Sequence, residues 1–151
     1  MDKINFLEIE FPKLLHSLSP ETKGDWGVLN AQQMVEHMSD SLRIANGRDK
    51  MPLHTAVEQV ALFKNFAMSD KAFKPNTKNA LMGENPSAIR NVSMNEAINE
   101  LENEISLFIN YFENNKGATL TNPFFGDLNF EEWIHLLHKH AIHHCKQFGL
   151  I

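Results

Sequence analysis

Four of the chain's eight histidines fall within seven residues, His138, His140, His143 and His144, close to the C-terminal end of the sequence. Imidazole titrates nearest neutrality of all side chains and is a ready ligand for zinc, nickel and iron. The cluster is therefore a metal site, a buried polar pair satisfied by hydrogen bonds, or a polar helix face rich in imidazole. Direction around the helix separates these readings. With Trp133 as origin and about 100° per residue, Leu137 lies at about 40° and Leu136 at about 300°. On that wheel His140 falls at about 340° and His144 at about 20°, in the middle of the apolar face. His135 and His138, at about 200° and about 140°, are expected on a solvated surface. His143, at about 280°, is expected at the edge of the core. Cys145, at about 120°, reads as a small packing residue.

Two imidazoles spaced i and i+4 stand one above the other and can reach a common point. Neutral buried histidines need partners, and a shared divalent ion satisfies both at once. H-x-x-x-H alone is also a frequent accident, so the pair leaves metal binding and simple burial both open. A third candidate lies about a hundred residues upstream. Ala31, Met34, Met38, Leu42 and Ala45 form the apolar side of a second helix, with Gln32, Glu36 and Arg43 expected to face out. His37 falls at the inner edge of that apolar side, as a boundary histidine or as a ligand looking into a seam between helices. His16 and His54 show no such pattern.

These residues require helices to position them, and three helix starts are written in the sequence. Asn30 stands three residues before Gln33, Ser93 three before Glu96, and Asn129 three before Glu132, the spacing of a capping box. Leu29/Met34 and Leu128/Trp133 have the spacing of hydrophobic staples. From Ser93 the apolar set Met94, Ile98, Leu101, Ile105, Phe108 and Phe112 advances by threes and fours until Gly117. A further helix is expected over about residues 2–18, with Phe6, Ile9, Leu14, Leu15 and Leu18 inward and Pro12 kinking it or marking its start. Residues 54–68 suit a short helix, and 69–91 read as loop. With no strand alternation in view, the expected fold is all-α: a single domain over 1–151, a four-helix bundle with a long crossover between its second and third helices.

The bulk properties exclude other classes. A chain of 151 residues with 42% hydrophobic and 22% charged residues is an ordinary globular composition. A net charge of −5 with scattered Lys and Arg argues against nucleic acid or an anionic membrane as partner. The charged N-terminus and the lack of a long apolar run make a cytoplasmic location the default expectation. The single cysteine excludes an intrachain disulfide.

Three stretches, DWGVLNAQQMVEHM, NPFFGDLNFEEW and HKHAIHHCKQFGL, together resemble the DinB-like superfamily, which includes YfiT-like metalloenzymes. The likeness is to an uncharacterised bacterial branch, and covers about residues 18–47 and 92–151. It implies a four-helix bundle holding a divalent metal, most often nickel or zinc, with manganese or iron as alternatives. Carried over by position, the ligands are His37, His140 and His144. It also implies frequent homodimers, and activities that include transfer dependent on a low-molecular-weight thiol as well as hydrolysis. Ile142 stands where the branch often has a carboxylate, and Asn122 where it often has a histidine.

Three imidazoles leave coordination positions open, the pattern of a catalytic zinc site rather than a structural one. The open position suits a water or a substrate thiol, giving a hydrolase or a transferase acting on a small molecule. No general base is evident. Gln33, one turn before His37, and Gln147, one turn after His144, are candidate orienting groups or ordinary polar edge, and His143 is edge filler or a substrate contact. The alternative class is a non-catalytic bundle whose histidines are structural or bind no metal.

Overall fold

Asn30 and Asn129 each accept a bond from the backbone N–H three residues on, and Gln33 and Glu132 return a bond to the cap's own N–H. Ser93 likewise accepts from the N–H of Glu96. These caps open α2 (Ala31–Ala45), α5 (Phe130–Gln147) and α4 (Met94–Asn114) in the computed structural model, which describes residues 2–77 and 79–151. α1 is one helical stretch in three pieces, Lys3–Asn5, Phe6–Glu10 and Phe11–Leu15. α3 (Val60–Met68) follows a 3-10 turn, Val57–Gln59. The protein is mostly helical, and among the described residues no helix is long and apolar enough to cross a membrane.

The all-α expectation is corrected by a hairpin. β1 (Leu120–Asn122) and β2 (Gly126–Leu128) pair antiparallel, with Leu120 opposite Leu128 and Asn122 opposite Gly126. Three residues per strand are too few to show alternation. The turn is closed by Asn122, whose side-chain oxygen accepts from the N–H groups of Phe124 and Phe125.

α1 also departs from its expected phase. The middle piece, Phe6–Glu10, is π-helical, and the N–H of Phe11 bonds to Phe6 rather than to Leu7. Pro12 has no N–H to offer the carbonyl four residues back, and the wider turn precedes it. The extra residue rotates the inward face to Phe6, Leu7, Phe11 and Leu15, while Ile9 is 60% exposed. Leu14 and Leu18 pack against the core at its margin.

α2 and α4 pack against each other most extensively, and α5 crosses α2, with α1 and α3 alongside. Met34, Met38 and Leu42 of α2 meet Ile98, Leu101 and Phe108 of α4 in one core. All six apolar positions read from the α4 periodicity are buried. Both staple pairs are buried as well.

Gln32 and Glu36, expected to face out, are buried, which is a second correction. The last residues of the crossover fold over that side of α2. The Glu36 carboxylate accepts from the backbone N–H groups of Arg90 and Asn91 at 2.8 and 3.2 Å, and from Gln32 at 3.2 Å. Buried backbone donors require acceptors, and a carboxylate supplies several. The crossover's start is held in the same way: buried Glu104 of α4 accepts from Asn46 Nδ2 at 2.7 Å and from Arg48. Two buried carboxylates thus anchor the two ends of a long connection.

Candidate metal centre

His37 sits in the middle of α2, and His140 and His144 one turn apart on α5, where the helices cross. Their ring centroids are 4.9, 5.3 and 4.7 Å apart. The Nε2 atoms converge: His140 Nε2 lies 3.1 Å from that of His37 and 2.9 Å from that of His144. One nitrogen from each of the three lies within 4.8 Å of the others, a spacing compatible with a shared metal ion. Two imidazole nitrogens bound about 2.0–2.1 Å from one zinc ion stand roughly 2.9–3.4 Å apart, depending on the angle between them.

The donor set fits a cation for a second reason. His140 Nε2 carries either one proton or one lone pair. It can make one good hydrogen bond with a neighbouring Nε2, not two. A cation uses all three lone pairs at once.

The tautomer of His144 is fixed by its surroundings. Gln147 Nε2 lies 2.7 Å from the carbonyl oxygen of Trp26, which can only accept, so the amide's nitrogen end must face it. The Gln147 oxygen then faces His144 Nδ1 at 2.7 Å, and that nitrogen must donate. Nε2 of neutral His144 is left bare and directed at the convergence point, the arrangement by which an outer hydrogen bond orients a metal-binding histidine. The loop bearing Trp26 is shaped to allow it. Asp25 N–H donates to the Gln147 carbonyl at 2.7 Å. Gly27 adopts φ +79°, and a Cβ there would stand 2.7 Å from Gln147 Nε2.

The three histidines are neutral near pH 7. Burial pushes His37 down to about 4, assisted by His143. Burial likewise pushes His144 down to about 3, aided by His37 and opposed by the Gln147 bond. His140 lies well below its ordinary value from burial and from its two partners. Neutral imidazole is the form that binds metal.

The other candidates fall elsewhere. Gln33 serves the α2 cap, and its Nε2 donates to Ser87 O at 3.4 Å rather than to a histidine. His143 stacks edge-on to His144 and Trp26 at 5.3 and 5.7 Å, beside the triad. His16 is exposed, and His54 lies against Phe124. Cys145 is fully buried in the core, and burial pushes its thiol up to about 12.

His135 and His138 are half-buried rather than on a solvated face. α1 and residues 69–75 pack over that side of α5. His135 Nε2 donates to Ser69 O at 3.1 Å, and its Nδ1 accepts from Lys3 Nζ at 2.9 Å. Lys139 Nζ donates to the carbonyls of Phe66, Ala67 and Ser69 at 3.1–3.3 Å and sits over the rings of Phe66 and Phe73. The Phe73 ring lies 6.4 Å from that of His140 and 6.2 Å from that of His143, covering one side of the triad. Phe73 and Lys139 carried no signal in the sequence, since the covering segment has no periodicity.

A family model described as the DinB superfamily matches residues 11–148. Searches of curated proteins and of solved structures found no match.

Proposed function

Because the chain belongs to the DinB superfamily, we propose that it is a metal-dependent enzyme whose divalent ion is held by His37, His140 and His144. The observation that carries this reading is the Trp26–Gln147–His144 relay, which sets one bare Nε2 at the point where the other two converge. α1, α2, α4 and α5 supply the four-helix bundle of a single domain. Nickel and zinc suit three imidazoles best, with manganese or iron as alternatives. When bound, such an ion supplies Lewis acidity toward a small molecule at its open position.

This chain's residues supply the rest. The aliphatic core of α2 and α4 holds His37 rigidly, Gln147 keeps the His144 proton on Nδ1, and Phe73 excludes water from one side. The reaction is transfer using a low-molecular-weight thiol, or hydrolysis, in the cytoplasm and in a homodimer. His143, edge-on to the triad and half-buried, is placed to contact the substrate. The test is turnover. Tag-free protein reconstituted with zinc or nickel is expected to act on a thiol-plus-electrophile or ester panel, with activity lost in His37→Ala and not restored by added metal. A metal-loaded wild type inert across both panels would favour a non-catalytic bundle.

A further inference from the structure

The outer face of α5 has a charge balance opposite to that of the chain. The formal net charge is −5. Yet a cavity of about 450 Å³ between α5 and residues 69–75 has Lys3, Lys139 and Lys146 as its cations and Asp70 as its one carboxylate. Asp70 acts on Lys139 and leaves the lysines in excess by two charges, three against one. Lys3 is bonded to an imidazole nitrogen and Lys139 to three backbone carbonyls, all uncharged partners. The Lys146 side chain is exposed and makes no hydrogen bond or ion pair among the described residues. A low-dielectric recess lined by charges of one sign concentrates ligands of the other.

The rest of the lining sets the apolar surfaces of Trp26, Phe73 and Ile142 beside Ser69 and the imidazoles of His135, His138 and His143. Trp26 Nε1 is buried without an acceptor, a donor left unused by the protein. That N–H is closed to solvent, so it reports on the cavity through the indole ring that lines it rather than by bonding a ligand. Phe73 is both a wall of this cavity and the ring covering His140. The recess and the imidazole triad therefore lie on the two sides of one side chain.

We propose that this cavity binds a small organic anion, its apolar body against Trp26, Phe73 and Ile142 and its charge met by Lys146, with Phe73 as the partition between it and the triad. The inference deepens the metalloenzyme reading by giving the substrate class, and rests on it for that role alone. Binding itself needs no ion.

The test uses the full-length, tag-free, isotope-labelled chain after stripping with a chelator. Benzoate and phenylphosphonate are titrated while the indole N–H resonances are followed, with the neutral isostere benzamide as control. Trp133 serves as internal reference, because it is buried and its indole N–H donates to Leu120 O at 3.2 Å. Saturable movement of the Trp26 resonance is expected with both anions, at least tenfold weaker binding of benzamide, and at least tenfold loss of anion affinity in Lys146→Glu. Thermal unfolding of that variant should be only slightly lowered, since Lys146 is a surface side chain whose reversal opposes the dipole of the last turn of α5. No Trp26 response to either anion, equal binding of benzamide, or an unaffected Lys146→Glu protein would each overturn the proposal. Metal uptake is measured on the same preparation. Anion binding without metal uptake would sink the metalloenzyme reading alone, and the reverse would sink the anion site alone.

Discussion

The two faces of α5 use the same residue type for different ends. On the inner face, His140 and His144 pack against α2, half-buried and buried in turn, are held neutral, and converge with His37 on one point. On the outer face, His135, Lys139 and His143 follow each other at four-residue intervals and engage the segment from Phe66 to Phe73 through its carbonyls and rings. What separates the faces is the partner each imidazole or ammonium meets. Inward it meets other nitrogens, which a cation reconciles. Outward it meets the backbone carbonyls of Phe66, Ala67 and Ser69 at the end of α3, where a cation also complements the helix dipole. A histidine-rich helix is thus no single site, but a face spaced to hold a metal ion backed by a docking face.

The largest effect expected on this comparison is at the inner face. His140→Ala removes the nitrogen shared by the other two and should weaken zinc affinity by more than about 100-fold, beyond the usual cost of losing an outer partner. A competition assay with a chromophoric chelator measures it. Gln147→Leu leaves all three imidazoles but frees the His144 tautomer, and should cost about 10–100-fold in the same assay. An unchanged affinity would mean that the relay through Trp26 does not orient the site.

Next comes the cover between the faces. Phe73→Ala should speed chelator-driven stripping of the metal severalfold while leaving affinity nearly unchanged, as seen in stopped-flow traces. Lys139→Met keeps the aliphatic stem and loses three hydrogen bonds to carbonyls. It should lower unfolding stability by about 1–3 kcal/mol, read from denaturant midpoints, without the loss of zinc affinity seen at the inner face.

The inner face also carries a pH dependence. Unfolded histidine protonates near pH 6.5, whereas folded His37 resists until about 4 and His144 until about 3. Across that window the unfolded chain binds more protons. The stability of metal-free protein should therefore be fully present above about pH 6.5 and fall as pH drops toward 4. Replacing His37 by Phe should flatten that slope, which chemical denaturation at stepped pH would show.

How much of this was legible in the sequence follows from where each signal resides. Asn30, Ser93 and Asn129 act on backbone within three residues of themselves, so α2, α4 and α5 could be read directly. The convergence of His37 with His140 and His144 followed from two helical phases and a family resemblance. Phase failed where the period changed: the π-turn before Pro12 exposed Ile9, and a three-residue hairpin was too short to announce itself. Burial of Gln32 and Glu36 depended on where Arg90 and Asn91 fold back, a tertiary fact with no local signature. The outer-face reading of His135 and His138 failed for the same reason, because α1 and the segment after α3 that cover them lie far away in sequence.

The central claim is that three imidazoles form one metal centre. Its most direct test is elemental analysis of tag-free protein loaded with zinc or nickel, combined with X-ray absorption at the metal edge for wild type and His140→Ala. One divalent ion per chain is expected, with three imidazole nitrogens at about 2.0–2.1 Å if it is zinc, and loss of that signature in the variant. A wild type that retains no ion, or an ion whose shell is the same after His140→Ala, would contradict it.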